Sequence, residues 1–164
     1  MPETRTQAAP AAIVALAALL AASLHVLFPP ELEAQSCQPV TILTLAALEK
    51  IMDAEDYDTD PLPGVARGHG FLWKIPGTVS SLRIGEGGGS LHFYAPYQEG
   101  GAGFEKVNSW NRDFYFARSY IDDEGDPGLY MDLSLEGGIC QERIRNFLTT
   151  CLEADQRWRE HMSE

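Results

Sequence analysis

The residues of this 164-residue chain that could do chemistry are four histidines, three cysteines, scattered serines and one tight group of acids. The acids form the run Asp122-Asp123-Glu124-Gly125-Asp126, with Pro127 next. Clustered carboxylates can hold a divalent cation, but this run has neither the spacing nor the closing glutamate of an EF-hand loop. Gly125, Asp126 and Pro127 are turn residues, so the run reads as a hairpin tip. An acid/base pair drawn from it would need one buried carboxylate, and hairpin tips are wet. His25, His69, His92 and His161 show neither HExxH nor paired spacing, and no CxxC accompanies them, so no metal site is expected. No serine stands in a GxSxG elbow, which leaves hydrolase chemistry without a sequence footing. Gly85-Glu86-Gly87-Gly88-Gly89-Ser90 is glycine-rich enough to suggest a phosphate cradle. A cradle needs a helix N-terminus after it, and here a strand pattern comes next. The expectation is a protein with no catalytic residues, no metal and no cofactor.

Aromatics are the second chemical resource. In Lys106–Phe116, KVNSWNRDFYF, a tryptophan stands between two asparagines and an aromatic burst comes after it. Base stacking would need accompanying cations, yet only Arg112 and Arg118 are near. Acidic residues outnumber basic ones 24 to 12, for a net charge of -12, so no nucleic acid partner is expected.

The elements that must position these residues can be read from periodicity. Thr44 is placed to cap a helix over 44–57, with Leu45, Leu48, Ile51 and Met52 on one side. Residues 58–70 read as a loop. Three strands come next, 71–75, 78–84 and 90–96, joined by Pro76-Gly77 and by the glycine run, which favours antiparallel hairpins. A short helix over 104–112 puts Phe104, Val107 and Trp110 on one side. The next strand, 113–122, alternates: Tyr115, Ala117, Ser119 and Ile121 face one way, Phe114, Phe116, Arg118 and Tyr120 the other. Its hairpin partner buries Leu129, Met131, Leu133 and Leu135 and presents Tyr130, Asp132 and Ser134. A last helix from Ile139 carries Ile144, Phe147, Leu148, Cys151, Trp158 and Met162 on one stripe. The order α-β-β-β-α-β-β-α predicts an α+β domain, an antiparallel sheet of about five strands with flanking helices. Asn108 and Asn111 are suited to cap the end of the middle helix and to hold the chain as it turns into the next strand.

Residues 1–36 differ from the rest. Ala11–Phe28 is an apolar run broken only by Ser23 and His25, laid out like a secretory signal peptide, with an inner-membrane anchor through 11–28 as the alternative. The expected location is the periplasm, with membrane attachment only if that segment is uncleaved. Ala34-Gln35-Ser36 would suit a signal peptidase, and Cys37 is also a candidate for lipidation. In an oxidising compartment three cysteines permit one disulfide. Cys140 and Cys151 fall on one helix, about 16 Å apart at 1.5 Å per residue, too far to bridge. Any disulfide therefore uses Cys37, and Cys140 is the favoured partner because Cys151 lies on the apolar stripe.

From Val107 to Leu148 the chain resembles the YbjN family of bacterial proteins. A helix ends in VNSWN (Val107, Asn108, Trp110, Asn111), an aromatic strand ends in a turn with Asp126, and a strand with Asp132 leads through Gly137-Gly138 into the last helix. The resemblance is weaker over 44–97 and does not cover the leader. Cys140 stands where the family pattern tends to have Thr or Ser, and Ser80-Ser81 makes the second strand polar, as at an exposed edge. The resemblance implies a fold similar to type III secretion chaperones, no established enzymatic chemistry, and regulatory or protein-binding roles in stress responses or motility. On this reading residues 37–164 form a YbjN-like domain with a protein partner or a homodimer mate. The candidate interaction face is Phe114, Phe116, Arg118, Tyr120 and Tyr130, or a free strand edge. The rival readings are a small-ligand or divalent-ion sensor, and an envelope enzyme using His69, His92 and the acidic turn.

Overall fold

The computed structural model describes residues 37–62, 69–97 and 103–164; the leader lies outside the described residues. The described elements run α1 (Leu45–Ala54), β1 (Thr59–Pro61), β2 (Gly70–Ile75), β3 (Thr78–Ile84), β4 (Ser90–Pro96), α2 (Phe104–Asp113), β5 (Arg118–Ile121), β6 (Pro127–Ser134) and α3 (Gln141–Ser163). Among the described residues no helix is long and apolar enough to cross a membrane.

All six strands join one antiparallel sheet in the order β1-β2-β3-β4-β6-β5. The alternation of β2 to β4 decides its two faces. Phe71, Trp73, Leu82, Ile84, Leu91, Phe93, Ala95, Leu129 and Met131 point to one side and form the core with the helices. α1 starts at Thr44, whose Oγ1 accepts from the Ala47 amide at 3.2 Å, and buries Leu48, Ile51 and Met52. α3 buries Ile144, Leu148, Cys151, Trp158 and Met162, together with Asp155 at the same helical spacing. Arg159 Nε meets that carboxylate at 3.0 Å and its guanidinium also donates to the Pro96 carbonyl, tying α3 to the end of β4.

Several expectations need correction. The sheet has six strands rather than about five, because Thr59–Pro61, inside the stretch read as a loop, pairs with Phe71–Trp73. Lys74 Nζ reaches Asp58 and Asp60 at 3.1 and 3.0 Å and fastens this short edge. Ser80 and Ser81 are not on an exposed edge: β3 is central, and they are 1% and 7% exposed. Ser80 stands opposite Trp73, and Ser81 between Leu72 and Tyr94, in the cross-strand register. Phe104 is 73% exposed because it opens α2, one turn short of where Val107 and Trp110 reach the core. Leu45 is likewise exposed, and Leu43, just before the cap, is the buried residue. The strand predicted from 113 begins only at Arg118, for a reason that lies at the candidate site.

The N-terminal stretch of the described unit is held at the opposite end of α3. Cys37 and Cys140 form a disulfide with Cα atoms 5.6 Å apart, and Val40 exchanges backbone bonds with Ile139. Cys151 is a free, buried thiol; burial, with Asp155 nearby, pushes its pKa up.

Candidate protein-interaction face

The site is built where α2 runs into β5. Trp110, at the core end of α2, donates its indole N–H to the Ala117 carbonyl at 3.2 Å, and the Phe114 ring stacks on it with centroids 3.8 Å apart. Phe114 is therefore packed toward the core, not on the outward face expected for it. The simple alternation fails because Phe116 has φ +71°, a left-handed backbone that reverses the direction of the chain's side chains before β5 begins. The result is that Tyr115 and Phe116, on either side of this kink, are 82% and 91% exposed.

Asn111 holds β5 in place. Its carboxamide accepts from the Ser119 amide and donates to the Ser119 carbonyl, both at 2.8 Å. Asn111 thus holds the chain where it turns into the strand, as expected, but the capping role is corrected: the C-terminal cap is the Phe114 amide donating to the Trp110 carbonyl, and Asn108 is exposed. Asn111 instead occupies the outward hydrogen-bonding groups in the middle of β5, an edge strand. An added strand would need those groups, so this edge is closed to strand addition there. Ser119 Oγ in turn accepts from the Trp158 indole at 3.0 Å, so α2 and α3 both hold β5.

The sheet face away from the core carries Tyr94, Tyr120 and Tyr130 as one cluster, with ring centroids 5.2 to 6.4 Å apart. Gly128 makes this possible, because a Cβ there would come within 2.5 Å of the Tyr94 ring. Burial, with Tyr120 and Asp122 beside it, pushes the Tyr94 phenol up to about 12. Arg118 and Tyr130 are cross-strand partners, and Arg118 ion-pairs with Asp132, which also meets His92 Nδ1 at 2.6 Å. A groove of about 830 Å³ runs from Asn111 and Phe116 past Arg118 to Tyr120 and Tyr130. Of the expected face, then, the structure brings together Phe116, Arg118, Tyr120 and Tyr130 on the outward side, while Phe114 lines the groove from its core side. Sequence reading missed Tyr94, whose membership depends on the β4 to β6 register, and Tyr115, which was assigned to the buried side. Asp126 belongs to the turn, its amide bonded to Asp122 Oδ1 at 2.9 Å; the same oxygen also accepts from Glu124.

An antiparallel sheet with helices on one side and a tyrosine-lined face on the other defines an α+β module. The family model of YbjN, described as a "Putative bacterial sensory transduction regulator", matches residues 44–164, and the chain belongs to this family. Among solved structures it is similar to the one described as "Crystal structure of YbjN, a putative transcription regulator from E. coli", with a TM-score of 0.55 and 15% identity over 73% of this chain and 96% of that one. At that identity the likeness is one of fold. No curated protein matches by sequence.

Proposed function

We propose that this chain is a regulatory module that acts by binding another protein, not by turnover, through the outer end of β5 and the tyrosine face beside it. One observation carries this reading. Tyr115 and Phe116 stand in solvent, and Phe116 does so on a backbone conformation that costs an L-residue about 1–2 kcal/mol. An exposed phenylalanine gives the fold nothing in return, whereas burying it against a partner is favourable by roughly 1.5–3 kcal/mol. The closed edge at Ser119 favours side-chain burial over strand addition as the binding mode. The family description supports a regulatory role, and a place in stress or motility responses is what the resemblance adds.

Export to an oxidising compartment is part of the same proposal. It is supported by the signal-like composition of 11–28 and by the Cys37–Cys140 disulfide, since such bonds persist outside reducing cytosol. The test is a photoreactive phenylalanine analogue at position 116 in cells, with products identified by mass spectrometry. A discrete crosslink to one protein, or to a second copy, that vanishes when Tyr120→Glu charges the adjoining face is expected. Absence of any crosslink, with the protein folded, overturns the reading. Intact mass of the cell-derived protein reports the leader: a start at Cys37 supports cleavage, the full-length mass an anchor.

A further inference from the structure

The outward sheet face holds a second arrangement that the aromatic surface does not use. Ser90 and His92 are two residues apart on β4 and so share that face, and Asp132 is the cross-strand partner of His92 on β6. Ser90 Oγ lies 2.8 Å from His92 Nε2, and His92 Nδ1 lies 2.6 Å from Asp132 Oδ1. The other carboxylate oxygen of Asp132 accepts from Arg118. The carboxylate can only accept, so the neutral ring places its proton on Nδ1 and its lone pair on Nε2, facing the serine hydroxyl. Nucleophile, base and orienting acid thus stand in the order that activates a serine.

Gly85 is the second observation. A Cβ at that position would lie 2.2 Å from Ser90 Oγ and 2.9 Å from His92 Nε2, so only glycine leaves room for the pair. Stability does not require the relay: the strands are already joined by their ladder, and half-exposed ion pairs contribute roughly 0–1 kcal/mol.

We propose that Ser90 is a nucleophilic serine that accepts an acyl group from small, activated esters, with His92 as its base. Ser90 Oγ forms a bond to the ester carbonyl carbon while its proton passes to His92 Nε2. The bond from that carbon to the leaving oxygen breaks, and the leaving group departs with the proton from His92. The products are an acyl-serine and an alcohol, so atoms and charge balance without any redox partner. The relay is half exposed and has no enclosing wall to bind a substrate, so the donor must be an ester that is already activated by a good leaving group. This activity is independent of the interaction reading.

The experiment treats the folded full chain with p-nitrophenyl acetate and, separately, with a small alkyl fluorophosphonate, followed by intact mass and peptide mapping. A single adduct on Ser90 is expected, absent in Ser90→Ala and formed roughly 100-fold more slowly in His92→Gln, with circular dichroism unchanged in both. Ser163→Ala, at the last residue of α3, should label at the parent rate, which separates this site from non-specific acylation of exposed serines. No adduct, adducts on other serines instead, or an unchanged rate in His92→Gln would each overturn the proposal and leave the relay a polar contact of the sheet.

Discussion

Asn111 carries two hydrogen bonds to the backbone of one residue, because its carboxamide offers a donor and an acceptor on separate atoms. Asn111→Ala leaves the Ser119 amide and carbonyl without these partners at a strand edge. The expected loss is about 1–3 kcal/mol, read from urea denaturation, and Asn111→Asp should recover only part of it because a carboxylate cannot donate. An unchanged midpoint for the alanine variant would show that water satisfies those groups as well. Tyr94 makes a prediction about pH. Its phenol ionises at a higher pH in the folded chain, chiefly because it is partly buried. The resulting stability is complete below pH about 10, where the unfolded phenol is still protonated, and is lost as pH rises toward about 12. Tyr120 is shifted the same way. Denaturation midpoints measured from pH 9 upward should fall less steeply in Tyr94→Phe than in the parent. Equal slopes would mean that the phenol is solvated like a free one.

Among the elements, the passage from α2 to β5 is where pattern reading and structure part most clearly. Phe116→Gly tests why. Glycine relieves about 1–2 kcal/mol of left-handed strain but adds about 0.5–1 kcal/mol of unfolded-state entropy. The net expectation is a fold at least as stable as the parent, by roughly 0.5 kcal/mol, with the crosslinking partner of position 116 bound less well. A loss of stability above about 1 kcal/mol would show that the ring supports the fold. Most of the sheet was legible in the sequence because β4 alternates cleanly and β2, β3 and β6 are short runs set off by turn residues. The hairpin turn at Pro76-Gly77 was legible too, Gly77 having φ +87°. β1 was not legible, since Thr59-Asp60-Pro61 has no alternation and pairs only through its register with β2. The tyrosines of the site were visible as residues. Their assembly was not, because Tyr94 and Tyr130 meet only once β4 and β6 are in register, and because one positive φ at Phe116 inverts the period-two pattern. The Ser90, His92 and Asp132 relay is scattered over the sequence for the same reason: two of its members pair across strands.

At the scale of the whole molecule, the disulfide closes a loop of 103 residues between the start of the described unit and the start of α3. Linking such distant points restricts the unfolded chain strongly, and removing such a bond typically costs about 2–5 kcal/mol. The two cysteines are not equivalent in this respect. Cys140 is the N-cap residue of α3, and it makes no side-chain capping bond there. A serine at 140 would break the disulfide but supply a hydroxyl to the first turn, a contribution of about 1 kcal/mol. A serine at 37 would break the same bond with no compensation, leaving Val40 and Leu43 to hold the N-terminal stretch through Ile139 and Gly88. Cys37→Ser should therefore be less stable than Cys140→Ser by about 1 kcal/mol, although both lose the same covalent link. Cys151 does not confuse the comparison, because it is fully buried and its thiol is held in the protonated form. Urea denaturation of the two variants and of the parent, with and without reductant, measures all three states. Reductant should bring the parent down toward the Cys37→Ser midpoint and move neither variant. Equal midpoints for the variants would show that the helix start is already satisfied by water, and a parent insensitive to reductant would remove the disulfide from the forces that hold this domain together.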